Sequence, residues 1–101
     1  MVITPASLAR AVLTTGSTTL YAVPSATTTI ITNIVLANTS TAAATATIDV
    51  DGVTLVPTIS IGANTIITID IRQPLAATKL ITGFAGTASA ISCHIAGVEQ
   101  T

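Results

Sequence analysis

The runs "ATATIDV" (44–50), "NTIITIDIR" (64–72) and "SAISCHIAG" (89–97) alternate small or β-branched apolar residues with polar ones. A period of two is what a strand with one buried face requires, because successive side chains leave opposite sides of the backbone. Ala44, Ala46, Ile48 and Val50 share one face of the first run, with Thr45, Thr47 and Asp49 on the other. Ile67, Ile69 and Ile71 oppose Thr68 and Asp70, while Ile91, Cys93 and Ile95 oppose Ser92 and His94. Threonine is the most abundant residue, followed by alanine and isoleucine. Thr and Ile are stiff at χ1, which suits a pleated surface better than a helix.

Turn-forming residues interrupt these runs every eight to twelve positions or so, at Thr15-Gly16-Ser17, Pro24-Ser25, Asn38-Thr39-Ser40, Asp51-Gly52, Gly62-Ala63-Asn64, Gln73-Pro74 and Gly83 to Gly86. Short strands at that spacing read as an all-β antiparallel sandwich, jelly-roll-like, with about seven or eight strands in a single domain. The expected strands are at about 10–15, 18–22, 28–38, 43–50, 53–58, 65–71, 78–82 and 89–98. The longest, "TTTIITNIVLAN", carries apolar residues on both faces: Ile30, Ile34 and Leu36 on one, Ile31, Val35 and Ala37 on the other. Strict alternation therefore assigns one of those faces to a second layer or another subunit.

Charge is scarce. Only 7% of the 101 residues are charged, the net charge is −1, and half the residues are apolar. A membrane helix needs about 20 consecutive apolar residues, and the longest runs here are four long, as in Leu20–Val23 and Ile34–Ala37. The first residues, "MVITPASLARAVLTTG", lack the basic start and apolar stretch of a cleaved leader. Arg10, Arg72 and Lys79 are scattered, and Tyr21 and Phe84 are the only aromatics. Neither the field nor the stacking surface for nucleic acid is present. One cysteine, Cys93, excludes an internal disulfide.

Few residues could do chemistry. Asp49 and Asp51 in "TIDVDGVTL" hold two of the four acidic side chains. A calcium loop needs six to eight oxygens, including a bidentate acid further on, and "VTLVPTIS" after Gly52 contains no acid. Asp-Gly is instead the pair preferred by a two-residue type I′ turn, so Asp51 and Gly52 are expected at a hairpin tip. Cys93 and His94 are adjacent, so in a strand they point to opposite faces and cannot converge on one ion or substrate. Cys93 is read as a small buried residue and His94 as facing solvent or an interface. His94 with a serine and an aspartate could form a triad on paper, but no G-x-S-x-G frame supports it. The glycines form no phosphate-cradling loop. No catalytic residue, metal site or cofactor is expected, and an enzyme is not the reading.

The remaining feature is a surface of Thr, Ser and Ala where soluble domains carry charge. Interface cores are depleted in charge, so this surface suits a protein covered by other proteins.

The stretch from 27 to 101 also carries a set of motifs: "T-x-I-x-x-N-x-x-x-x-N-T-S", "x-V-x-G", "I-x-A-N-x-x-x-x-I-D", "P-L-A-A-x-x-x-I-T-G-x-A" and "H-I-x-G-V-E". In these it resembles small virion proteins of tailed bacteriophages and prophages. The resemblance implies a β-sandwich or jelly roll used as a capsid decoration (cementing) protein or as a tail or fibre module. It further implies a symmetric homo-oligomer, with a trimer favoured, bound to the major capsid protein on the virion surface after synthesis in the bacterial cytoplasm. The alternative is a tail or fibre module that binds a receptor or glycan. Residues 1–26 lie outside the match, as an N-terminal arm or extra strands beside a sandwich domain at 27–101. "TPASLARAVL" offers a short helix with Thr4 as N-cap and Pro5 at N1. Interface residues are expected on the non-core faces: Leu8, Arg10 and Val12 in the N-terminal segment, and Thr29, Ile31, Asn33 and Val35 in the long strand.

Overall fold

The computed structural model describes residues 3–101. Eight strands follow one another: β1 (Ile3–Val12), β2 (Thr18–Ala22), β3 (Thr28–Asn38), β4 (Ala44–Val50), β5 (Val53–Ile61), β6 (Ile66–Leu75), β7 (Leu80–Ala85) and β8 (Ile91–Gln100). They form two four-stranded sheets, β1-β8-β3-β6 (sheet I) and β2-β7-β4-β5 (sheet II), and every pairing is antiparallel. Every connection except β4–β5 crosses from one sheet to the other, which is the double-sheet arrangement of a jelly roll.

The core follows from the alternation. Ile34, Leu36, Ile91, Cys93 and Ile95 from sheet I meet Ala46, Ile48, Ile61 and Ile81 from sheet II, all buried. Asp51 and Gly52 both have positive φ, 53° and 76°, and link β4 to β5 with Val50 opposite Val53. Among the described residues this is the only two-residue hairpin between neighbours in one sheet.

The helix allowed by Thr4 and Pro5 does not form. β8 needs a partner on its outer side, and β1 fills that place from Ile3 opposite Gln100 to Val12 opposite Ser92. Tertiary pairing overrides the local signal. Residues 18–22 form β2 against β7.

Strict alternation fails at register shifts in both sheets, two of them bulges on either side of β8. In β3, Ile31 and Asn33 pair with successive β8 residues, Gly97 and Ala96, which leaves Thr32 as the extra residue. In β1, Ser7 and Ala9 pair with Ala96 and Ile95, which leaves Leu8. Both neighbours of β8 thus bulge beside Ala96, and the Thr32 hydroxyl donates to the Ala96 carbonyl at 3.2 Å. Each bulge shifts the phase of its strand by one residue. Ile31 and Ile34, three apart, consequently both point inward and are fully buried. The apolar pattern on both faces of β3 therefore comes from a phase shift, not from a strand buried on both sides. Gly97 permits the close approach: a Cβ there would meet the Ile30 carbonyl oxygen and lie 2.9 Å from Leu8 Cδ1.

Polar ties close the ends of the sandwich. Asn38 is buried at the end of β3. Its Nδ2 donates to the Ala42 and Ile61 carbonyls, both at 2.9 Å, and its Oδ1 accepts from the Ser40 amide at 2.9 Å and the Ser40 hydroxyl at 2.7 Å. At the opposite end of β3, the Tyr21 hydroxyl from sheet II donates to Glu99 Oε2 at 2.6 Å and bonds Thr29 Oγ1 at 2.9 Å in sheet I. Burial and the Glu99 hydrogen bond raise the tyrosine pKa above its ordinary value.

Candidate interaction face

Among the described residues, the polar side chains singled out in the sequence lie apart from one another. The Asp51 carboxylate lies 3.8 Å from Lys79 Nζ at the exposed hairpin tip. Asp49 is on the outer face of sheet II, opposite Thr54 of β5 and Thr82 of β7, with Oδ1 shielded from solvent and unpaired among the described residues. Cys93 is fully buried, and burial pushes its thiol up to about 12. A thiol held neutral at that level is no nucleophile at pH 7. His94 projects from the other face of β8 and is exposed. Among the described residues no group of three His, Cys, Asp or Glu could hold a metal.

The outer face of sheet I is different. Its strands align in rows: Val12, Ser92, Ala37 and Ile66 form one, and Arg10, His94, Val35 and Thr68 form the next. Ser7, Ala96, Asn33 and Asp70 follow, then Pro5, Val98, Ile30 and Pro74. Three of the exposed large apolar side chains are on this face: Ile3 (59% exposed), Val12 (54%) and Ile66 (65%). Between the two bulges the face dips into an open depression of about 640 Å³, lined by residues that include Ser7, Arg10, Asn33, Val35, His94 and Ala96. Val12 and Ile66 end one row and Ile3 lies at the other end of β1, so the exposed apolar side chains frame the face while Arg10, His94, Asn33 and Asp70 occupy its middle rows.

Of the seven residues expected at an interface, Arg10, Val12, Asn33 and Val35 lie on this face. Leu8, Thr29 and Ile31 do not. They are 8%, 0% and 0% exposed, because the bulges turn Leu8 and Ile31 inward and Thr29 is tied to Tyr21 between the sheets. The expected interface did not include Ile66 and Asp70 at the far edge, and His94, expected to face solvent or an interface, lies in the middle of this face. The alternation marked Asp70 as polar-side, but only the strand order puts β6 and β1 on the two edges of the same sheet.

A scan of protein-family models finds no match, and a search of curated proteins finds none either. Among solved structures, the chain is similar to the Drosophila NLP core, described for its pentamer formation and histone binding: the two are 16% identical, with a TM-score of 0.52 over 98% of each chain. It also overlaps about a quarter of an exo-β-1,3-galactanase from Phanerochaete chrysosporium, at 20% identity and a TM-score of 0.45 over 93% of this chain and 26% of that one. That second likeness is too loose to carry an argument. The first, across the whole domain, concerns architecture, and the chain is an all-β, eight-stranded sandwich resembling a nucleoplasmin core.

Proposed function

We propose that the protein is a bacteriophage virion structural protein, a capsid decoration protein that binds the shell surface as a symmetric oligomer and stabilises it. The observation that carries this reading is the outer face of sheet I, a four-stranded surface with three exposed large apolar side chains and few charges. Water-exposed faces of soluble domains are normally charged, and interface cores are not. The motifs in which the sequence resembles phage virion proteins suggest the setting. Several modest contacts made at once by an oligomer resist dissociation better than any one alone, which is what reinforcing a shell under internal pressure needs. No catalytic group takes part. The NLP core, described for its pentamer formation and similar over 98% of each chain, offers a precedent for a domain of this fold and size acting as an oligomer subunit.

The test is co-sedimentation of the purified protein with expanded capsids that lack it, followed by heating of the decorated and bare shells. Saturable binding and a higher disruption temperature for decorated shells are expected. No binding to capsids, with binding to a glycan array or to host cells instead, would transfer the protein to a tail or fibre.

A further inference from the structure

We propose that the outer face of sheet I is the contact surface of a two-fold dimer of this chain, with β1 of each copy lying over β6 of the other.

The edges of the sandwich point to the face. An edge strand left open can pair with another chain. Here β1 carries Pro5, β5 carries Pro57 and β6 carries Pro74, while β2 is only five residues long. Proline lacks the N–H that a new ladder would need, and a short strand offers little to pair with. Association through faces remains. Sheet II presents Asp49 and Thr82 outward beside Phe84 and the exposed Leu80, and the outer face of sheet I is the one with a charge of each sign, Arg10 and Asp70, on its two edges.

Its area is sufficient. Four strands about 4.8 Å apart and ten residues at about 3.3 Å each give roughly 650 Å² per copy, or about 1,300 Å² in all, within the range of specific interfaces.

The face is also complementary to itself. Val12 and Ile66 occupy the two ends of one row, Arg10 and Thr68 the ends of the next, and Ser7 and Asp70 the ends of the third. A two-fold axis along the strands, midway between β8 and β3, lays each row over its own reverse. Val12 then meets the second copy's Ile66, and Arg10 comes over the edge that carries Asp70. Each such pair occurs twice. In this packing Arg10 lies over Thr68, one row from the second copy's Asp70, whereas an axis across the strands puts Arg10 over Ser7 and Asp70 over Thr68 and keeps the two charges on opposite edges. Charge therefore selects the first packing, because an unpaired charge pressed into an interface is costly.

Within one chain Arg10 and Asp70 are three strand spacings and one row apart, about 16 Å. They can attract each other only between copies. Light scattering of the purified protein over a concentration range is expected to give about 20 kDa, twice the 10.1 kDa chain. Arg10→Asp and Asp70→Arg should each weaken the dimer about tenfold or more, and the double exchange should restore it to within about threefold. Circular dichroism and melting of the variants check that these exposed substitutions leave the fold intact. Ile66→Lys, which puts a charge into the apolar row, should yield a monomer. A monomer at all concentrations, a trimer or pentamer, a dimer indifferent to Ile66→Lys, or a double exchange that fails to restore association would each overturn the proposal. The inference extends the reading of this face as protein-covered but stands apart from the virion assignment. A dimer that ignores capsids sinks the function, and a capsid-binding monomer sinks the dimer.

Discussion

Asn38 uses both donors and both acceptors of its amide, and two of its partners are the Ala42 and Ile61 carbonyls. Asn38→Ala takes this donor from the buried Ile61 carbonyl, while the Ala42 carbonyl keeps the Ser40 hydroxyl at 2.8 Å. It should cost about 3 kcal/mol in urea unfolding, with an unchanged m-value. Cys93 makes a different kind of contribution. Burial raises its thiol from 9.0 to about 12 in the folded state, so the folded protein holds the proton more tightly than the unfolded chain. The corresponding stability is complete below pH 9 and disappears as pH rises toward 12. About 4 kcal/mol is at stake over three pH units, and Tyr21, whose pKa is also raised, adds in the same direction above pH 10. Denaturant melts between pH 8 and 11 should show this alkaline loss, with a shallower slope in Cys93→Ala. Legibility at this scale depended on residue chemistry. Asp51-Gly52 could be read because those types tolerate positive φ. Thr58 and Thr78 also take positive φ, 44° and 70°, and nothing in a β-branched residue announces it.

The strands were largely legible as elements and their irregularities were not. Five of the eight begin within a residue of the expected position, because alternation and turn residues both act locally. A bulge is decided by the partner strand. "TTTIITNIVLAN" shows apolar residues on both faces, which fits either two-sided burial or a slip of phase, and only pairing with β8 distinguishes them. That ambiguity sent Ile31 to the wrong face, and with it part of the expected interface. Leu8 was misplaced by the matching bulge in β1. The two bulges flank Ala96, and at Gly97 next to it Ile30 and Leu8 crowd the backbone. Gly97→Ala should destabilise by about 3 kcal/mol, as expected for overpacking against backbone that cannot move aside. Gly16→Ala, where a Cβ meets nothing within 4 Å, should change stability little by comparison. Thermal unfolding of the two variants side by side measures the contrast.

For the whole molecule, the order of strands decides which residues share a surface, and strand order is set by contacts distant in sequence. The seven-or-eight-strand sandwich was readable from the spacing of turns. The pairing of β1 with β8 was not, although it determines that Arg10 and Asp70 flank one face. Because Ile3 lies opposite Gln100, the first and last strands run side by side. Joining them by a short linker and opening the chain between Asp51 and Gly52 should preserve the fold, with the strand content by circular dichroism unchanged. Loss of structure in that permutant would mean that the β4–β5 hairpin must form intact for the rest to fold.

The place of β8 between β1 and β3 bears on how the protein is made. As the chain leaves the ribosome, β1 and β3 emerge early, yet neither can join the other, because the strand that separates them is the last of the eight. Sheet I stays divided until residues 91–100 are clear of the exit tunnel, and a chain stalled within them leaves β1 with no strand to join it to the β3-β6 pair.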